Sequence, residues 1–283
     1  MFGFSEGKRY NSFVGYYRRR YGERLQKLVL DAGFSCPNRD GTVGRGGCTY
    51  CDNAAFHPGY STPGKPLLTQ IDEGIEFQKV RYPRARHYLA YFQAYSNTYG
   101  PLDRLKALYE EVLSHPEVVG IVIGTRPDCV DEKKLDYLAG LASGRVLSGW
   151  QRSLRRAPGP TVQAPVPDTL TAPIVVVEYG IESCHDSTLR HINRGHSFEC
   201  ARKAVEMTAE RGIDTGAHFI LGLPGETREM LLDQCGLISS LPLRSVKFHQ
   251  LQIVRGTVME KEYAADPSAF YRPGLDEYLD FVI

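Results

Sequence analysis

Six short apolar runs, at 26–32, 87–95, 118–125, 174–181, 215–223 and 246–253, are separated by patterns of helical period at 67–80, 102–114, 132–142, 198–211 and 227–239. Strand and helix in alternation is the mark of a parallel sheet joined by crossover helices. Six such strands make either an open doubly wound sheet or an incomplete barrel, so an α/β fold is expected. The carboxyl ends of these strands are polar. They read Gln93-Ala-Tyr-Ser96-Asn97-Thr98, Thr125-Arg126-Pro127-Asp128, Glu178-Tyr-Gly-Ile-Glu182-Ser, Gly222-Leu-Pro-Gly225-Glu226-Thr and Arg255-Gly256-Thr257. Barrels gather their catalytic groups at that face, which directs all six ends to one pocket. Asp131 and Ser197, each just ahead of a helical pattern, are expected to be N-caps.

The first strand runs into a Gly- and Pro-rich loop, AGFSCPNRDGTVGRGGCTYCDN, that carries Cys36, Cys48 and Cys51. A Cys-x-x-Cys pair with a third thiolate supplied by the loop suits a [4Fe–4S] cluster, one of whose irons is left open to a non-protein ligand. Gly41, Gly44, Gly46 and Gly47 allow the eleven intervening residues to fold tightly. Zinc held by the same cysteines with His57 as fourth ligand is the alternative on ligand chemistry. Seven cysteines is an odd number, and nothing at the N-terminus resembles a signal peptide, so disulfides are not expected. Cys129, Cys184, Cys200 and Cys235 are scattered singly and are expected to be small buried hydrophobes.

A hydrophobic content of 42% is enough for a proper core, and no apolar stretch approaches bilayer-spanning length. A cytoplasmic protein with no membrane partner is expected. The net charge of +1 decides nothing about partners, but its distribution is uneven. Lys8, Arg9, Arg18, Arg19, Arg20, Arg24 and Lys27 are interleaved with Tyr10, Phe13, Tyr16, Tyr17 and Tyr21. Such a segment either contacts RNA, through phosphates and stacked bases, or forms an amphipathic helix covering the barrel's open edge. Arg81, Arg84, Arg86 and His87 form a second basic group with the same two readings.

The blocks CPNRDGTVGRGGCTYC, FQAYSNTY, TRPD, EYGIESCHDSTLRHINRGHS, HFILGLPGET and LQIVRGT, in that order over 26–257, resemble the radical S-adenosylmethionine superfamily. Within it they are most similar to the small subfamily related to the catalytic subunit of the elongator complex. The resemblance implies a partial (β/α)6 barrel over 26–257, preceded by a basic aromatic extension at 1–25. The stretch 144–173, with Arg152, Arg155, Arg156 and five prolines, stands where relatives have a short link and is expected to be a flexible surface insertion. A helical segment is expected at 258–283, its last part resembling a helix cut short. The cysteine spacing, Cys-x11-Cys-x2-Cys, departs from the superfamily's common Cys-x3-Cys-x2-Cys, as the elongator-like branch does.

By this resemblance Cys36, Cys48 and Cys51 ligate the cluster, whose open iron takes the amino and carboxylate groups of S-adenosylmethionine. Tyr50 packs against the adenine. Gln93, Ser96 and Asn97 meet the methionine amino group, Arg194 its carboxylate, and Glu182 the ribose hydroxyls. Backbone groups at 220–225 support the adenine, with Gly222 permitting close approach. Arg126 is either a cofactor contact or, with Asp128, a structural ion pair, and His218 is a further pocket candidate. The implied chemistry is reductive cleavage to a 5′-deoxyadenosyl radical that abstracts hydrogen from the substrate. The substrate implied is a tRNA wobble-uridine side chain, and the reductant a flavodoxin- or ferredoxin-type electron donor. A radical enzyme acting on a small metabolite and a non-catalytic zinc-binding RNA module are the alternatives.

Overall fold

A computed structural model describes residues 10–147, 150 and 170–282. Six parallel strands lie in sequence order: β1 (Gln26–Leu30), β2 (Tyr88–Phe92), β3 (Val118–Thr125), β4 (Ile174–Glu182), β5 (Asp214–Leu221) and β6 (Ser245–Gln250). Each strand pairs in parallel with the next, from Gln26 opposite Tyr88 at one edge to Leu221 opposite Gln250 at the other. Right-handed crossovers between sequential neighbours put every connecting helix on the same face, so the sheet curls with its other face inward. The result is a half-barrel of the expected α/β type. β2 is buried along its whole length, as a strand covered on both faces must be.

The outer layer holds α2 (Leu67–Arg81), α3 (Leu102–Leu113), α4 (Glu132–Ala142), α6 (Phe198–Glu210) and α7 (Arg228–Ser240), while the short α5 (Asp186–His191) packs at the carboxyl end. Asp131 caps α4 by accepting from the Lys134 amide, and Ser197 caps α6 by accepting from the Cys200 amide. Ile71 and Ile75 of α2, Leu105 and Tyr109 of α3 and Leu135 of α4 pack with the apolar side chains of β1 to β4 in one continuous core. The helix ahead of β1, α1 (Phe13–Tyr21), closes the amino end of the half-barrel. Its Tyr17 is buried, Phe13, Tyr16 and Tyr21 pack on the same core, and Arg20 pairs with Asp214, the first residue of β5, at 3.3 Å. The covering-helix reading therefore describes its aromatic face, and only Arg18, Arg19 and Arg20 remain exposed on the last turn.

The carboxyl end is roofed by a second, smaller core of Leu189, Ile192, Ile220, Leu223, Met259 and Phe270. It joins α8 (Val258–Ala265) to the turn after β5, where Pro224 bridges Phe270 and the Gly225 amide donates to the Ala269 carbonyl at 2.8 Å. α9 (Leu275–Val282) follows. Most of the expected insertion at 144–173 lies outside the described residues. Its flanks do not stand off the surface: Val146, Leu147, Trp150 and Leu170 all join the main core, and the Trp150 indole donates to the Leu113 carbonyl at 2.8 Å.

Candidate active site

One cavity of about 500 Å³ occupies the inner face of the half-barrel. Cys36, Cys48 and Cys51 all line it, and none forms a disulfide. Their loop is held by its own backbone. The Arg39 amide donates to the Cys36 carbonyl, the Gly47 amide to the Asn38 carbonyl, and the Cys51 amide to the Cys48 carbonyl. Gly46 and Gly47 sit at φ +80° and +83°, a region costly for any residue with a Cβ. Gly44 is needed for a different reason: a Cβ there would lie 2.2 Å from Asn38 Oδ1.

The turn after α5 clamps this loop from the other side. Asn193 Nδ2 donates to the Gly47 carbonyl at 2.8 Å, the Thr49 amide to the Ile192 carbonyl at 3.0 Å, and Asn38 Nδ2 to the Asn193 carbonyl. Donors approach two of the three sulfurs. Arg194 Nη1 is 3.4 Å from Cys48 Sγ, with Asn38 Nδ2 at 3.7 Å, and Asn53 Nδ2 is 3.7 Å from Cys51 Sγ. Burial, with the Cys48 sulfur nearby, pushes the Cys51 thiol up despite the Arg39 and Arg194 guanidinium groups, so a bare thiolate there is poorly solvated. Among the described residues no three His, Cys, Asp or Glu side chains converge on one metal position, and His57 lies instead beside Asp31 at 3.6 Å. Three free thiols lining one cavity, with N–H donors at two of them, are the donor set that a [4Fe–4S] cluster takes.

Beside the cysteines, Arg194 and Glu182 form a buried pair at 3.4 Å. Glu182 stands at φ +74° after a bulge at the end of β4, which turns its carboxylate back toward the guanidinium. A Cβ on Gly180 would meet Glu182 Oε1 at 2.5 Å and Arg194 Nη2 at 2.8 Å, so the Gly in EYGIE clears the space for this pair. Burial opposes the Arg194 charge, but the Tyr50 hydroxyl, the Cys48 sulfur and Glu182 more than offset it. Its Nε remains buried without a hydrogen-bond partner, as does Ser96 Oγ, and both residues line the cavity. Unpartnered donors at the cavity wall are what a carboxylate-bearing cofactor requires.

Tyr50, Gln93, Ser96, Arg126, Glu182 and Arg194 are thus brought together on one cavity. Arg126 also grips Asp128 with two bonds of 2.8 and 2.6 Å and donates to the Arg194 carbonyl at 2.7 Å. The ion-pair reading of Arg126 is the one the structure shows, and the paired residue also lines the cavity. Asn97 and Gly222 are not part of the cavity wall. Asn97 is fully buried and ties β2 to β3 through the Phe92 and Gly124 carbonyls, and Gly222 at φ +89° makes room for the Tyr271 carbonyl, 2.3 Å from where a Cβ would be. Of the scattered cysteines, Cys129 and Cys184 are buried, Cys200 is half-buried, and Cys235 is exposed on the outer side of α7.

The deeper half of the cavity holds groups the sequence gave little reason to join. Glu178, two inward positions before Glu182 on β4, pairs with Lys27 of β1 and accepts from His218 Nε2 of β5 at 3.1 Å. His249 Nε2 of β6 lies 3.1 Å from His218 Nδ1, and Lys247 is two residues before it on the same strand. Burial disfavours the Glu178 carboxylate, but the His218 bond and the Lys27 ammonium outweigh it and hold its pKa well below the usual carboxylate range. Burial, with Lys247 and His218 nearby, pushes His249 down to about 4. The missed signal was parity. Lys27, Tyr91, Glu178, His218, Lys247 and His249 all occupy inward positions of the period-2 pattern, and polar residues there would have marked a cavity instead of a core.

Residues 158–236 match the family model described as the radical SAM superfamily. The protein YhcC of Escherichia coli K12 is 36% identical over 255 residues, which cover 90% of this chain and 72% of YhcC. The chain belongs to the radical SAM superfamily. As a radical SAM protein it takes a [4Fe–4S] cluster and S-adenosylmethionine as cofactors. Elongator complex protein 3 of Bos taurus is 24% identical over 80% of this chain and 43% of its own length. Among solved structures, the Elp3 of the archaeon Methanocaldococcus infernus superposes with a TM-score of 0.56 at 16% identity, over 91% of this chain and 52% of Elp3, which marks the shared fold. The chain spans about half the length of that Elp3. No helix among the described residues is long and apolar enough to cross a membrane.

Proposed function

We propose that this radical SAM protein acts on the side chain of a tRNA wobble uridine. The observation that carries the radical half of this reading is the convergence of Cys36, Cys48 and Cys51 with the Arg194–Glu182 pair on one cavity. The tRNA half is supported by the similarity to elongator complex protein 3 and by the exposed Arg18 and Arg19 of α1 and Arg81, Arg84 and Arg86 before β2. When bound, the cluster and S-adenosylmethionine supply a strongly oxidising carbon radical that takes a hydrogen atom from the substrate.

The protein's share is to bind and orient. Cys36, Cys48 and Cys51 hold the cluster, and Arg194 receives the methionine carboxylate with a planar fork suited to it. Glu182 accepts from the ribose hydroxyls, Gln93 and Ser96 meet the amino group, and Tyr50 lies against the adenine. Arg126, fixed by Asp128, props the Arg194 backbone from below. Asn97 and Gly222 act one step back, as braces of strand ends.

One observation favours a small-metabolite substrate instead: the aromatic side chains of α1 pack inward, so they offer bases no stacking platform. The deciding experiment incubates the anaerobically reconstituted, reduced protein with S-adenosylmethionine and bulk tRNA, then digests the tRNA for nucleoside mass spectrometry. The tRNA reading expects faster 5′-deoxyadenosine release and an altered wobble uridine. Formation of 5′-deoxyadenosine with no change in any tRNA nucleoside would overturn it.

A further inference from the structure

Glu178, His218, Lys247 and His249, from three strands, line the floor of the cavity with Lys27 of β1 paired to Glu178 behind it, and the charges there do not cancel. Lys27 is neutralised by Glu178. Lys247 has no carboxylate within ion-pair distance among the described residues, and it lines the cavity next to His249. Both point inward from β6, the edge strand of the half-barrel, about 7 Å apart along the strand. The groups facing His249 are His218 from β5, Lys247 from its own strand, and, further off, the Glu178–Lys27 pair and Tyr91 from β4, β1 and β2.

The hydrogen-bond chain has a direction. Glu178 is an acceptor, so His218 must carry its proton on Nε2, the atom 3.1 Å away. In the neutral ring, His218 Nδ1 is then an acceptor, and it takes the Nε2 proton of His249. That leaves His249 Nδ1 as a lone pair beside the unneutralised Lys247. With both rings neutral, the floor carries the Lys247 ammonium with the His249 Nδ1 acceptor beside it.

We propose that the floor is a substrate subsite for an anionic oxygen group, a carboxylate or a phosphate, held between Lys247 and His249, and that His249 takes up a proton at Nδ1 as this group arrives. Without the anion, burial and Lys247 disfavour a charge on His249. An anion seated between them screens the ammonium and favours the imidazolium, and by reciprocity the same anion binds more tightly as pH falls. The substrate class this selects is one that carries a carboxylate or a phosphate. This rests on the cavity being the substrate chamber of the proposed enzyme, but not on the substrate being tRNA.

The test is an imidazole NMR titration of the cluster-loaded protein labelled with 15N-histidine, the His249 signal being identified by its loss in His249→Gln. The probes are inorganic phosphate and acetate, each compared with chloride at equal ionic strength. Alone, His249 should be an Nε2–H tautomer that titrates near pH 4. With phosphate or acetate its midpoint should rise by about 1 unit or more, and the stronger of the two identifies the source of the charge. In Lys247→Met the starting midpoint should rise and the anion-dependent shift should vanish. Equal titration with and without both anions, or a shift undiminished in Lys247→Met, overturns the subsite. Either result leaves 5′-deoxyadenosine formation as a separate reading of the enzyme itself.

Discussion

The rim and the floor of the same cavity are built in opposite ways. At the rim, a single glycine-rich loop brings all three cysteines, and the turn at 192–195 locks it with Asn193 and Arg194. At the floor, no two consecutive residues contribute: Lys27, Glu178, His218 and His249 come from β1, β4, β5 and β6. The rim places sulfur and a planar guanidinium, the groups proposed to hold the cofactors. The floor places imidazoles and ammoniums, which can change charge with what they meet. A site carried by one loop can be written into local motifs, whereas one assembled strand by strand is not.

The largest effect that separates the two regions is Cys48→Ala. It should abolish the cluster's visible absorption and 5′-deoxyadenosine formation, while circular dichroism still reports a folded half-barrel. Loss of secondary structure along with the chromophore would show that the loop holds the fold as well as the cluster.

Arg194→Ala comes next, because it strips a buried carboxylate and a buried sulfur of their cation. Breaking a buried pair in this way costs about 3–5 kcal/mol, to be read from urea unfolding. Glu178→Gln is the matching change at the floor. Lys27 keeps partial access to solvent, so the loss should be smaller, about 1–3 kcal/mol, with cluster content unchanged. A floor variant that empties the cluster would erase the distinction between the regions.

Acid should test the floor more finely. The folded state depresses His249 from 6.5 to about 4, so it favours the neutral ring. That contribution to stability is complete above about 6.5 and is lost as pH falls toward 4. The urea midpoint of the wild type should fall across that window more than that of His249→Gln. The smallest effect is expected far from both regions: Arg18→Ala with Arg19→Ala should lower the salt slope of tRNA retention by about 2 if each arginine meets one phosphate, without altering 5′-deoxyadenosine formation on S-adenosylmethionine alone.

Much of the fold was legible in the chain. The six apolar runs became six strands within a few residues of the expected limits, and Asp131 and Ser197 cap the helices they precede. The ends of β1, β2 and β6 came out shorter than the apolar pattern, since residues such as Ala94 and Leu251 stay in the cavity wall or loop after the ladder ends. The aromatic residues of α1 were ambiguous, because Tyr17 in a basic helix looks the same from sequence whether it stacks on a base or plugs a barrel. Glu226 was another blind spot. Its buried carboxylate accepts from Ser183 Oγ at 2.6 Å and thereby anchors the end of β4, a role that nothing in LPGET announces.

By itself the sequence determined the parallel α/β alternation, the three-thiolate loop and the superfamily they belong to, because each is carried by neighbours in the chain: period, spacing and glycine conformation act over a few residues. Only the tertiary structure decided that Asn97 and Gly222 brace strand ends while Gln93 and Ser96 face the cavity, and that Lys27, Glu178, His218, Lys247 and His249 share one floor. Those outcomes depend on which strands stand side by side and which way the sheet curls. The pairing of Lys27 with Glu178, 151 positions apart, exists only once that curl has brought the two within a few ångströms.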